Sequence, residues 1–105
     1  MNPFKRATTI YALVLDLDQD SSEIERLEIR RILERHHFQW QQGSIYFGDA
    51  SVTAATVMVA VIDLATQLPW FASSVRDIRM LRIEELSDLM PFVQRVAGIG
   101  NGEGG

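Results

Sequence analysis

The sequence predicts an α+β fold, and three observations predict it. Extended and helical segments follow one another as strand, helix, strand, strand, helix, strand. The first strand is apolar on both of its faces, so it must be covered on two sides. The two long helical segments carry apolar residues at helical rather than alternating spacing.

Residues 1–9 read as an N-terminal lead-in. Thr8–Leu17 is rich in apolar and β-branched residues and reads as the first strand. One face carries Ile10, Ala12, Val14 and Asp16; the other carries Tyr11, Leu13, Leu15 and Leu17. A polar turn, Asp18–Asp20, follows. Ser22 with Glu25 forms a capping box, so a helix begins there and runs to about His37. Its apolar stripe is Ile29, Ile32, Leu33 and His36, while Ile24 and Leu27 fall off it. Acids lead and basic residues end the helix, the order its dipole favours.

Phe38–Gln41 and Ser44–Phe47 flank Gln42-Gly43 and predict a hairpin, with Gly43 supplying a positive φ. Asp49 or Ser51 is the expected cap of a second helix, Val52–Leu68, which Pro69 ends. Its polar stripe, Thr53, Thr56, Ala60, Asp63 and Gln67, is narrow, which predicts deep packing. Trp70-Phe71 is expected in a loop, and Val75–Glu84 as the last strand. A short helix fits Ser87–Ala97, capped by Ser87 and stopped at Gly98, with a disordered glycine-rich tail over residues 98–105. The domain proper is thus residues 10–97. This βαββαβ order is the ferredoxin-like arrangement: a four-stranded antiparallel sheet with both helices on one face. The bare face has an apolar first strand, and a second copy of the chain is its simplest cover, so a homodimer is expected.

Composition narrows the classes. The 105 residues fit a single domain, 47% hydrophobic and 23% charged. No cysteine is present, so there is no thiolate metal site, and a reducing, cytoplasmic setting is the natural reading. No signal peptide is legible. The apolar run Val52–Leu68 is broken by Thr53, Thr56, Asp63, Thr66 and Gln67, which argues for a soluble helix and no membrane partner. A net charge of −4 speaks against a DNA-coating protein, yet arginines cluster at Arg26–Arg35 and Arg76–Arg82. No Walker-type loop or dinucleotide fingerprint occurs. The run Gly98-Ile99-Gly100-Asn101-Gly102 lacks a preceding strand and a following helix.

Chemistry has few candidate carriers. Asp16, Asp18 and Asp20 are either a solvated turn or a set of oxygen ligands for a divalent cation such as Mg²⁺. Asp16 stands apart because it shares a face with Val14, where a carboxylate carries a desolvation cost. Asp77 and Arg79 share a strand face, as a structural ion pair or as part of a nucleic-acid site with Arg76 nearby. His36 is either a helix-terminal packing residue or an acid–base group. Ser44 either completes the hairpin turn or contacts a phosphate or ribose. Trp40, Tyr46, Trp70 and Phe71 are either core or base-stacking aromatics.

Three stretches together resemble the virulence-associated protein D (VapD) family. They are Tyr11-Ala12-Leu13-Val14-Leu15-Asp16-Leu17, Phe38-Gln39-Trp40-Gln41-Gln42-Gly43-Ser44-Ile45-Tyr46, and Trp70-Phe71-Ala72-Ser73-Ser74-Val75-Arg76-Asp77-Ile78-Arg79. The third is the most specific, and the likeness spans residues 10–95. It implies a ferredoxin-like homodimer, similar in fold to the small CRISPR adaptation nuclease, and an endoribonuclease that in several cases is the toxin partnered by a small protein antitoxin. It further implies catalytic roles for Asp16, Ser44 and Asp77. RNA contacts are expected from Arg76, Arg79 and Tyr46, and Asp16 is the candidate metal ligand. The rival expectation is a non-catalytic homodimeric module of the same fold that binds nucleic acid or protein.

Overall fold

The computed structural model describes the backbone of residues 9–104 and the side chains of residues 9–98. The lead-in of residues 1–8 and Gly105 therefore lie outside the described residues. Strands β1 (Ile10–Leu17), β2 (Phe38–Gln42), β3 (Ile45–Gly48) and β4 (Val75–Ile83) form one sheet in the order β2-β3-β1-β4. Every pairing is antiparallel. Helices α1 (Glu23–Arg35) and α2 (Ala54–Gln67) supply the core on one face of that sheet. A single turn, α3 (Phe71–Ser74), precedes β4, and α4 (Met90–Gly104) ends the chain. The expected ferredoxin-like order is the one observed.

The alternation of β1 sorts its residues. Leu13, Leu15 and Leu17 are buried beneath the helices with Ile29 and Leu33 of α1 and Leu64 of α2. Ile10, Ala12, Val14 and Asp16 point to the open face, beside Phe47 and Ile45 of β3. On β4 the open face carries Asp77, Arg79, Leu81 and Ile83, opposite Asp16, Val14, Ala12 and Ile10. Val75 departs from the expected alternation with Asp77. The register slips by one residue at the end of the ladder, so Val75 pairs with Leu17 and packs on the core, and Arg76 is the extra residue.

The first helix starts as its sequence demands. The Ser22 hydroxyl accepts from the Glu25 N–H at 3.1 Å, and the Glu25 carboxylate accepts from the Ser22 N–H at 2.8 Å. His37 ends the helical path in the left-handed region, with φ of 70°. In the hairpin, Gly43 has the expected positive φ of 55°, and the Trp40 indole N–H donates to its carbonyl at 2.8 Å.

Several helix expectations need correction. The cap of α2 is Thr53, whose hydroxyl accepts from the Thr56 N–H, while Asp49 and Ser51 close a preceding turn on each other. That turn sends Val52 into the core against Gly48 instead of into the helix. Helix α2 is also less covered than its composition predicts. Val57, Ala60 and Leu64 are buried, but Met58, Val59 and Ile62 are exposed because only one layer lies beneath the helix. Ala60, placed on the expected polar stripe, is completely buried. Finally, α4 begins at Met90, because Asp88 rather than Ser87 takes the Met90 N–H, at 2.9 Å. It does not stop at Gly98, whose φ is not positive, and the backbone stays helical to Gly104. All its described side chains are exposed, Phe92 at 61%. Trp70-Phe71 is not a loop pair: Phe71 opens α3 and is buried.

Candidate active site

The end of β1 is where the chemistry-bearing residues gather. Asp16 and Asp77 are direct cross-strand partners on the open face. Side chains so placed are a few ångströms apart at Cβ, and like charges there repel. Both are exposed, so the repulsion is softened by solvent. Arg79 donates its Nε–H to Asp77 Oδ2 at 2.7 Å, which neutralises one side of the pair. Asp16 makes no side-chain hydrogen bond or ion pair among the described residues. Arg76 is exposed at the bulge beside Asp77.

Ser44 lies in the hairpin turn, and its carbonyl accepts the Leu15 N–H at 3.0 Å. It is therefore one residue from Asp16 along β1, but it lines a cavity on the helix side of the sheet. Tyr46 is not on a surface that stacks bases. Its side chain is 5% exposed, its ring belongs to the core, and its residue lines the same cavity. Burial pushes its hydroxyl above the ordinary tyrosine range, opposed by the guanidiniums of Arg30 and Arg26.

The remaining acids do not join Asp16. The Asp18 carboxylate accepts the Asp20 N–H at 3.4 Å, and the Asp18 N–H donates to Ser74, so this segment is a self-bonded turn. Among the described residues no group of three or more His, Asp or Glu is placed to hold a metal ion. The paired Asp16 and Asp77 offer carboxylate oxygens of the kind Mg²⁺ takes, and Mg²⁺ is commonly held by one or two carboxylates plus water. His36 lies between the helices: its Nε2 meets Asp63 Oδ2 of α2 at 2.7 Å. Gln67 donates to the other oxygen of Asp63 at 2.6 Å, and Arg35 to Gln67 at 2.8 Å, so α1 and α2 are laced together.

Two residues escaped the sequence reading. Arg30 lies over the Trp40 ring, 4.1 Å from its centroid, and Arg26 sits one turn earlier on the same cavity. The arginine cluster in α1 was the available signal, but its meaning depends on the hairpin folding back onto the helix. No helix of the described residues is long and apolar enough to cross a membrane.

Fold and site together define a small ferredoxin-like α+β protein with an opposed carboxylate pair at the end of β1, rimmed by arginines. No family model matches the chain. Curated relatives do. The chain is similar to an endoribonuclease VapD homolog of Helicobacter pylori, 44% identical over 94 residues, covering 83% of this chain and 99% of the relative. It is 32% identical over 93 residues to endoribonuclease VapD of the same organism, covering 81% and 99%. It is 35% identical over 95 residues to endoribonuclease VapD of Dichelobacter nodosus, covering 81% and 98%. The chain belongs to the VapD family.

Proposed function

We propose that this chain is an endoribonuclease that cleaves RNA phosphodiester bonds at the Asp16–Asp77 pair. The observation that carries the reading is that pairing: two carboxylates in direct register, one set by Arg79 and the other unengaged among the described residues. A like-charge pair costs stability, and such costs are kept at sites of chemistry. The names of the relatives, endoribonuclease VapD, support the same activity.

Asp16 is the unengaged carboxylate and takes the proton of the attacking oxygen as it bonds to phosphorus; the P–O bond to the departing ribose oxygen breaks, and that oxygen takes a proton from solvent. Arg79 holds Asp77 and, with Arg76, faces the phosphate. Ser44 holds the hairpin turn against β1 and contacts the RNA backbone beside the cleaved bond. Should a divalent cation such as Mg²⁺ bind, Asp16 and Asp77 would hold it, and it would supply Lewis-acid stabilisation of the phosphate charge.

The active unit is a homodimer. Val14, Ile45, Phe47, Leu81 and Ile83 leave the open sheet face apolar, with Leu81 45% exposed. An apolar face of this kind marks an interface. The cytoplasm, where RNA is met, is the compartment this reading requires. A small protein antitoxin is the further partner it carries, tested by co-purification of the product of a neighbouring small gene.

The test of activity is direct. Purified chain is incubated with labelled RNA, with and without chelator, beside Asp16→Ala. Cleavage by the wild type and none by the variant is expected. Loss on chelation would mean that the carboxylates act through a cation. Equal cleavage by both would remove Asp16 from the chemistry, and cleavage by neither would favour the non-catalytic binding module.

A further inference from the structure

Strand β1 outruns its neighbour. Strand β3 pairs with it as far as Val14, and the Ser44 carbonyl takes the Leu15 N–H, so β3 does not cover the edge at Asp16 and Leu17. Beside this edge, on the helix side, α1 and the hairpin enclose a cavity of about 270 Å³ lined by Leu17, Arg26, Arg30, Trp40, Ser44 and Tyr46. We propose that this cavity is a phosphate subsite, in which Arg26 and Arg30 take the phosphate of the RNA nucleotide next to the cleaved bond. The source of that phosphate rests on the endoribonuclease reading; the anion chemistry of the cavity does not.

Arg30 is poised for an anion. Its guanidinium rests on the Trp40 ring, and that ring is fixed by its own indole bond to Gly43. A planar guanidinium held this way keeps its donor edge in one orientation, which suits two-point contact with phosphate. The Arg30 Nε atom is buried and has no hydrogen-bond partner among the described residues. Buried N–H donors are paired in the great majority of cases, and the Tyr46 hydroxyl, on the same cavity, lies beside this guanidinium. Neither Arg26 nor Arg30 is ion-paired among the described residues. The Tyr46 hydroxyl is a neutral phenol beside Arg30 and adds an O–H group to the cavity wall. Glu23 lies on the same cavity wall and opposes an anion, which gives the test its second handle. The size falls just below the usual range of ligand pockets, which starts at about 300 Å³, and suits one phosphate with its sugar better than a larger group.

The position fits the chemistry. Leu15 and Leu17, on the cavity side, flank Asp16, on the open side. An RNA backbone crossing the uncovered edge of β1 passes from the arginines to the carboxylates.

The experiment uses the full chain labelled with ¹⁵N. The Arg30 Nε–H and Trp40 indole signals are followed during titration with adenosine 5′-monophosphate, inorganic phosphate or adenosine. Both signals are expected to move with the two phosphates and not with adenosine. Arg26→Gln is expected to weaken the mononucleotide by about tenfold or more, the loss of one charged contact, and Glu23→Gln to tighten it. Both changes are at the cavity wall on the helix surface, so thermal melts matching the wild type are expected. A still Arg30 signal at high phosphate, or an equal response to adenosine, overturns the subsite. A short RNA is expected to displace the mononucleotide; RNA binding without displacement overturns its assignment to RNA. Phosphate binding by a chain that cleaves no RNA would leave the anion site standing and remove the nuclease reading. RNA cleavage with unchanged KM in Arg26→Gln and no phosphate response would do the reverse.

Discussion

Asp16 and Asp77 face each other in direct register across the β1–β4 ladder, and only Asp77 is met by an arginine, Arg79 at 2.7 Å. Two carboxylates in that relation weigh against the sheet they sit on. Asp16→Asn should therefore lower RNA cleavage by about 100-fold or more while leaving the melting temperature equal or higher. A melt and a single-turnover cleavage assay on the same sample check it. A falling melting temperature with cleavage retained would show that Asp16 is structural.

The His36–Asp63 contact predicts an acid-labile joint between α1 and α2. Hydrogen bonds from His36 and then Gln67 hold the Asp63 carboxyl below its ordinary range. A carboxyl depressed in the fold stabilises it above the unfolded value, about 3.9, and that contribution is lost as pH falls through the folded value. Asp63→Asn should be less stable than wild type near neutrality, and the gap should close on acidification below about pH 4. A gap constant across that range would rule out the linkage.

Gly48 is required by packing. A Cβ at this position would lie 2.7 Å from the Val52 Cβ, in a part of the core that cannot yield cheaply. Gly48→Ala should cost about 1–3 kcal/mol, the usual penalty of overpacking. Urea unfolding with an unchanged m-value is the measurement.

Helix α4 offers the handle on assembly. Phe92, Val93 and Val96 are exposed, with no cover from the described chain, and so is Leu81 on the open sheet face. Phe92→Ser with Val93→Ser, and separately Leu81→Ser, should weaken the proposed homodimer in sedimentation at micromolar concentration. The circular dichroism of the protomer should be preserved. A wild-type chain that sediments as a monomer would remove the homodimer.

Much of this was legible in the sequence, for local reasons. The capping box of Ser22 and Glu25, the positive φ of Gly43 and the end of α2 before Pro69 are set by residues within a few positions of one another. The cap of α2 was harder, since Asp49, Ser51 and Thr53 all qualify and only the turn they form decides among them. The exposure of Met58, Val59 and Ile62 was not legible, because an apolar helix does not report how many layers cover it. Asp16 and Asp77 were each visible, but their pairing depends on the strand register. Arg30 on Trp40 joins residues that only the folded hairpin brings together.

The extra residue at Arg76 has a consequence for how this site can vary. The ladder holds register from Ile10 and Ile83 to Asp16 and Asp77, and the slip lies wholly beyond it. Loss of one codon at Arg76 would leave Val75 able to meet Leu17 and the carboxylates still opposed. It would remove one positive charge from the rim. The strand end therefore works as an adjustable margin: its charge can change by a single deletion while the sheet that carries the carboxylates keeps its count.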